Sequence, residues 1–331
     1  MYYEIVLLLL VFTLSFLLTW GVRKWTIKKA ILDLPNERSS HSVPTPRGGG
    51  IAIAIIWFAG LIYFKISNRI DTPLFLALLC GLPLSVAGFL DDVLHLKPKI
   101  RFIIQFTCAG LGLFFLGGMH YVNLGFITFE NVWLFTPIAL FGIVWLINLF
   151  NFLDGIDGYI STEVIFIGTA VFFLFHDLIA LMLAVTVLGF LCWNWQKAKI
   201  FMGDVGSTLL GYTIAIFAIY YQNTETTSIV IWAMLTSLFW VDASITLLRR
   251  IQNKESLGQA HRKHAYQRIV QAGFSHQKTV LWGIVLNLII LSLIALSIKY
   301  PDFLLLFAII NVILLMGTVK WIDSKKPFER T

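Results

Sequence analysis

Eleven stretches of close to twenty apolar residues run through this chain, at about 3 to 22, 49 to 66, 73 to 90, 102 to 119, 134 to 153, 159 to 175, 178 to 195, 205 to 222, 228 to 247, 280 to 298 and 302 to 319. An α-helix of that length spans the roughly 30 Å hydrocarbon core of a bilayer. Inside hydrocarbon every backbone N–H and C=O must find a partner within the protein, which leaves helices or closed barrels. Barrel strands alternate apolar and polar residues over shorter runs, whereas these windows are apolar on every side, so helices are expected. With 58% hydrophobic residues and a mean hydropathy of +0.82, the chain holds more apolar surface than a water-facing globule can bury. The expected fold is all-α: a polytopic integral membrane protein with about eleven transmembrane helices and one membrane-embedded domain over 1–331. The first window has no basic flank before it and no small-residue cleavage site after it, and reads as a retained helix.

If the first helix runs outward-to-inward, alternate loops share one side, at approximately 23–48, 91–101, 154–158, 196–206 and 248–279. Of the 25 Lys and Arg residues, only Lys65, Arg69 and Lys299 fall opposite. The positive-inside rule makes the basic side cytoplasmic, with the N-terminus out and the C-terminus in. The net charge of +7 then has a topological cause, and no nucleic-acid partner is needed to explain it. Cys80, Cys108 and Cys192 all fall inside predicted helices with no paired spacing, which argues against a disulfide framework or a thiolate metal site.

Five aspartates interrupt the apolar runs where they stop: Asp91 and Asp92 after the third, Asp154 and Asp157 after the fifth, Asp204 before the eighth. A carboxylate at a bilayer centre costs about 2.5 to 3.5 kcal/mol on insertion scales, so such groups call for a functional explanation. All five fall on the basic side. Five like charges at one depth beside phosphate chemistry would need a cation, which points to a Mg2+-dependent site at a membrane face.

Each cytoplasmic motif has a plainer reading beside the chemical one. In PNERSSHSVPTPRGGG, Ser39, Ser40, His41 and Thr45 offer donors, and Gly48 to Gly50 would let backbone amides approach an anion beside Arg47. A helix connector followed by a small-residue packing face is the alternative. In GFLDDVLHLKPKIR the two carboxylates precede Lys97, Lys99 and Arg101. Neighbouring helical residues point about 100° apart, so Asp91 and Asp92 should take different roles. In NLFNFLDGIDGY, Asn148, Asn151, Asp154 and Asp157 recur every third residue and would form one polar stripe if the helix continued, with Gly155 and Gly158 allowing a turn. Asp204 in FMGDVGS could equally be a helix cap, and Phe201 could stack on a flat base or face lipid. In HRKHAYQR, His261, Arg262, Lys263, His264 and Arg268 fit a diphosphate better than zinc, with a basic loop against anionic lipid as the alternative.

Taken in order, PTPRGGG at 44–50, LDD at 90–92, NFLDGIDG at 151–158, FMGDVGS at 201–207 and HRKH at 261–264 resemble the polyprenyl-phosphate N-acetylhexosamine-1-phosphate transferases. The resemblance implies transfer of a sugar 1-phosphate from a UDP-sugar to undecaprenyl phosphate, releasing UMP. Mg2+ would be required, with Mn2+ as its substitute, at the cytoplasmic face of a bacterial inner membrane, in a chain that could be a homodimer. It implies that Asp204 binds the metal, Asp91 is the base for the lipid phosphate, and Asp92 is a metal or phosphate neighbour. Asp154 and Asp157 would line the nucleotide site, Asn194 would lie near the nucleoside, and Phe201 beside uracil. His261 and His264 would belong to the catalytic histidine motif. Thr45, Arg47, Lys99, Arg101, Asn151 and Arg262 complete the expected substrate contacts. His-Arg-Lys-His stands where the peptidoglycan enzyme of this family has three histidines, and Arg47 where it has methionine. Both departures point to the O-antigen or common-antigen branch over phospho-MurNAc-pentapeptide transfer, with GlcNAc or a 6-deoxy relative such as FucNAc or QuiNAc as the sugar. Tyr159 stands where leucine is usual.

Two other classes compete. A cation-coupled secondary transporter would carry its charges in mid-helix and show internal repeats, and neither is present. A CDP-alcohol phosphatidyltransferase would space its aspartates along adjoining turns after Asp-Gly and Ala-Arg pairs, a spacing that is missing.

Overall fold

The computed structural model describes residues 2–35, 43–256 and 261–329. Ser39, Ser40 and His41 therefore lie outside the described residues. The helices are α1 (Tyr2–Lys28), α2 (Gly50–Ile66), α3 (Thr72–Leu79), α4 (Leu82–Leu94), α5 (Pro98–Phe115), α6 (Val132–Leu153), α7 (Tyr159–Phe175), α8 (Leu178–Asn194), α9 (Asp204–Asn223), α10 (Ile229–Leu235), α11 (Ser237–Gln252), α12 (Ala265–Gln271), α13 (His276–Lys299) and α14 (Leu304–Lys325). Two short antiparallel pairs join them: β1 (Leu32–Asp33) with β2 (Thr45–Pro46), and β3 (Tyr121–Asn123) with β4 (Thr128–Glu130).

Every apolar window falls on a helix or a broken pair of helices, and the protein is an all-helical, multi-pass membrane protein. Among the described residues, six spans are long and apolar enough to cross a bilayer, and a seventh is gained if α10 and α11, bent by 78°, count as one. Helices α2, α7 and α8, of 17 residues each, match their windows and fall just short of that length. Several boundaries follow from local chemistry. Asn131 Oδ1 accepts the Leu134 N–H at the start of α6, and Asp177 Oδ1 accepts from Ile179 and Ala180 at the start of α8. At the starts of α7 and α9 stand Gly158 and Gly203, both with φ near +75°, the left-handed region that glycine enters without strain.

Helix α9 is the hub, buried along nearly its whole length and packed against α2, α4, α6 and α10. Small residues let the backbones meet. A Cβ on Gly88 of α4 would stand 2.6 Å from the carbonyl of Asp204, and one on Gly50 of α2 would collide with the Gly206 backbone. Large apolar side chains such as Trp133, Phe114 and Phe173 are left on the outside, where lipid can cover them.

Candidate active site

Close packing of α4 on α9 brings three of the five aspartates together. Asp91 and Asp92 stand in the last turn of α4, and Asp204 is the first residue of α9, an end that favours negative charge. The paired aspartates do face apart. Asp91 Oδ1 accepts the Leu96 N–H at 2.7 Å and Oδ2 meets Arg101 Nη1 at 2.7 Å. Asp92, its side chain 1% exposed, turns to the other side: Oδ1 takes Arg47 Nε at 2.8 Å and the Asp204 N–H at 3.1 Å. Arg47 also reaches Asp204 Oδ1 at 2.6 Å, and Arg101 Nη1 lies 3.8 Å from Asp204 Oδ2. Burial weakens the Arg47 guanidinium, but Asp92 and Asp204 outweigh it and hold the group firmly protonated. Asn151, at the end of α6, closes the ring by accepting from Arg101 at 3.5 Å and donating to Ser207 Oγ at 3.2 Å.

Two arginines stand between the carboxylates and share in neutralising them. One expectation needs correction here. Two of the three glycines after Arg47, Gly49 and Gly50, do not offer their amides to an anion. Gly49 N–H donates to the Phe201 carbonyl at 2.9 Å and Gly50 N–H to the Met202 carbonyl at 2.8 Å, while Phe201 N–H returns to Pro46 O at 2.8 Å. The glycines thus zip the Arg47 loop onto the segment before Asp204, which is what aims Arg47 at both carboxylates.

A hard divalent cation nevertheless fits. Among the described residues Asp92 Oδ2 has no hydrogen-bond partner although it is buried, and a Cβ at Gly203 would run into it. Among the described residues no three His, Cys, Asp or Glu side chains group closely enough to cage an ion. Mg2+ does not ask for that: it commonly takes one or two carboxylates and completes its shell with water and substrate phosphates.

The expected polar stripe breaks at Leu153, where α6 ends. Asn148 stays in the helix and pairs with Gln105 of α5 through two amide hydrogen bonds, at 2.8 and 3.3 Å. Asp154 caps the helix; burial, opposed by Arg47 and reinforced by Asp204 and Asp92, raises its carboxyl to about 7. Asp157 lies across the turn, with Oδ2 3.3 Å from His276 Nδ1 and accepting the Ala198 N–H at 3.2 Å.

Asp157 opens into a cleft of about 660 Å³ lined also by Thr45, Lys197, Phe201, Arg262 and His276. Thr45 is nearly buried, its hydroxyl donating to Val43 O at 2.9 Å. Lys99 is exposed near the start of α5 and joins no ion pair among the described residues. Asn194 is 5% exposed and committed to the backbone: its carbonyl oxygen accepts the Gly158 N–H at 3.0 Å and its amide donates to Ile200 O at 3.0 Å. It braces the glycine turn against the segment before Phe201.

The histidine motif divides. His264 is 3% exposed, caps α12, and has Nδ1 3.6 Å from Asp242 Oδ1, while its ring stacks on Tyr266. Among the described residues no hydrogen bond or ion pair joins it to the carboxylate cluster, and its buried Nδ1 has no hydrogen-bond partner. His261 is less buried, and burial, aided by His264, Arg250 and Lys263, lowers its pKa to about 4, leaving a neutral imidazole at pH 7. Asp242 ties this loop down, accepting the Ala265 and Tyr266 N–H groups at 2.7 and 3.3 Å.

Sequence reasoning passes over Asp242, Ser207 and His276. Asp242, a charge within a largely apolar window, is the one with a visible signal. His276 acquires meaning only because the start of α13 folds against Asp157.

The pattern of glycosyl transferase family 4 matches residues 74–222, which include Asp91, Asp92, Asp154, Asp157 and Asp204. A probable undecaprenyl-phosphate N-acetylglucosaminyl 1-phosphate transferase of Bacillus subtilis (strain 168) is 32% identical over 328 residues, covering 93% of this chain and 90% of the relative. The undecaprenyl-phosphate α-N-acetylglucosaminyl 1-phosphate transferase of Salmonella typhi is 28% identical, covering 89% and 84%. Its counterpart in Escherichia coli (strain K12) is also 28% identical, covering 82% and 77%. With motifs, fold and near full-length similarity in agreement, the chain belongs to glycosyl transferase family 4 and is similar to relatives named undecaprenyl-phosphate N-acetylglucosaminyl 1-phosphate transferases.

Proposed function

We propose that this protein transfers N-acetylglucosamine 1-phosphate, or that of a 6-deoxy relative, from its UDP-sugar to undecaprenyl phosphate, releasing UMP and starting a lipid-linked envelope glycan such as an O-antigen. The observation that carries this reading is the meeting of Asp91, Asp92 and Asp204 with Arg47 and Arg101 beside a basic cleft. The names of the relatives favour N-acetylglucosamine over the muramyl-pentapeptide alternative. The charge bias of the loops supports eleven spans with the N-terminus out, the site facing the cytoplasm of the bacterial inner membrane.

Phosphoryl transfer between two phosphates leaves little covalent work for a protein, so positioning and charge neutralisation dominate. The uracil would lie against Phe201, with Asp157 and Lys197 at the cleft wall and the diphosphate reaching toward Arg47, Arg101 and Arg262. Asp92 and Asp204 would hold Mg2+, which when bound supplies neutralisation of the donor diphosphate and of the departing UMP. Asp91, oriented by Arg101 and the Leu96 N–H, would take the last proton of the lipid phosphate as its oxygen attacks the donor phosphorus. His261, neutral at pH 7, would donate a hydrogen bond without adding charge. The polyprenyl tail would follow α6 and α9 from Asn151 into an apolar groove of about 430 Å³ lined by Ile143, Leu146, Ile214, Ala218 and Trp240. Attack by Asp91 itself is the competing route, and isolation of a sugar-phosphoryl adduct on Asp91 would establish it. Membranes carrying the protein, given UDP-GlcNAc and undecaprenyl phosphate, should yield the diphosphate-linked lipid by mass. No product from any of a panel of UDP-sugars would refute the proposal.

A further inference from the structure

Arg262 is the one residue of the HRKH segment that lines the cleft, and its backbone is held from behind. Gln271 donates to the Arg262 carbonyl at 2.8 Å, and Arg268 Nε to the Lys263 carbonyl at 3.1 Å. Arg268 is in turn gripped by the end of α14 and the residues after it. Its Nη1 reaches Asp323 Oδ1 at 2.6 Å and the Lys326 carbonyl at 2.8 Å. Asp323 also binds Arg249 at the end of α11 in a two-pronged pair, at 2.9 and 2.7 Å. The Phe328 ring stands against three cations at once, with Arg249 and Lys263 each 5.4 Å and Arg268 5.6 Å from its centre. Lys263 Nζ further donates to the Glu329 carbonyl at 3.1 Å. An aromatic face attracts cations through its quadrupole, and a ring that serves three of them ties three chain segments together.

We propose that Asp323 and Phe328 form a clamp that positions the HRKH segment, so that the residues after α14 set the direction of Arg262 into the donor cleft. The clamp touches no reacting atom and acts through Arg268 and the Lys263 carbonyl. This inference rests on the transferase reading for its kinetic consequence, but not for its physical one.

The test uses the full-length protein in detergent or nanodiscs. Phe328→Ala should raise KM for UDP-GlcNAc about 5-fold while leaving kcat within about 2-fold, as expected when cation–ring contacts that steer binding are removed. Phe328→Trp, which keeps the aromatic face, should restore the original KM. In an Arg262→Ala background, Phe328→Ala should have no further effect on KM, because both changes remove the same contribution. Hydrogen exchange of the amides between 263 and 271 should quicken in Phe328→Ala and in Asp323→Ala, with the rest of the protein unchanged. Unchanged exchange in that segment overturns the clamp. A KM increase that persists in full on the Arg262→Ala background overturns the route through Arg262. If the wild-type chain turns over no UDP-sugar, the transferase reading fails, while the exchange experiment still decides whether the clamp exists.

Discussion

The carboxylate cluster and the histidine segment both read as chemistry in the sequence, and they fold into opposite situations. At the cluster, Asp92 keeps a buried oxygen with no partner among the described residues, and Arg47 and Arg101 are shared among Asp91, Asp92 and Asp204. At the histidine segment, His264 is enclosed with its Nδ1 3.6 Å from Asp242 and, like Asp92 Oδ2, without a hydrogen-bond partner among the described residues, while the basic residues Lys263 and Arg268 are tied to Glu255 and Asp323. The two motifs thus differ in charge pairing: the three aspartates share two arginines among themselves, whereas the basic residues of the histidine segment are each tied to a carboxylate that holds the fold. The difference lies in where each atom finds its partner, not in residue type.

Substitutions that remove only the charge separate the two regions most clearly. Asp204→Asn or Asp92→Asn should lower kcat by roughly 10² to 10³-fold, the scale of losing one preorganised electrostatic contact in a transition state. UMP release by inserted protein reads this directly, and near-normal turnover would remove these residues from the reaction. Arg47→Ala should come next. It leaves Asp92 buried without its partner and costs about 3 kcal/mol, the lower end of the range for a broken buried pair, since Arg47 is itself about a third exposed. A fall in melting temperature together with lost activity is expected; loss of activity alone would mean that the pair does not support the fold.

Changes in the supporting region should act on stability first. Asn194→Ala leaves the Gly158 N–H and the Ile200 carbonyl without their partner and should cost about 1 to 3 kcal/mol. Its kcat should fall far less than that of Asp204→Asn. His264→Ala should behave alike, whereas His261→Ala should act mainly on donor KM. If His264→Ala were as inactive as Asp204→Asn while melting normally, the contrast drawn between the regions would collapse.

The smallest effect concerns pH. The Asp154 carboxyl is raised to about 7 in the fold from an ordinary value near 3.8, so its protonated form is the one that the fold favours. Its contribution to stability is fully present at acid pH and is lost as pH rises through about 7. The melting temperature of the wild type should therefore decline between about pH 4 and 7 more steeply than that of Asp154→Asn. Parallel curves for the two proteins would show that Asp154 is not shifted.

Much of the site is legible in the amino-acid sequence. Carboxylates at the ends of long apolar runs are costly enough that Asp91, Asp92 and Asp204 stand out, and helical geometry requires that Asp91 and Asp92 diverge. The limits are physical as well. Hydropathy does not distinguish a 17-residue helix from a complete span, and it does not register the bend between α10 and α11. A glycine run suggests close approach but not to what, and at Gly49 and Gly50 the neighbour is the protein's own backbone. The pairing of Asp157 with His276, and the bracing by Asn194, depend on segments far apart in sequence meeting in space.

On the proposed function, the Asp91, Asp92 and Asp204 cluster performs Mg2+-dependent sugar-phosphate transfer to a lipid phosphate. The most direct measurement gives purified protein UDP-GlcNAc, undecaprenyl phosphate and Mg2+, and follows both UMP and the lipid product by mass, for the wild type and for Asp204→Asn. The expected result is matched amounts of UMP and undecaprenyl-diphosphate-GlcNAc from the wild type, their loss on chelation of Mg2+, and neither product from Asp204→Asn. Undiminished transfer by Asp204→Asn, or transfer that ignores chelation, would contradict it.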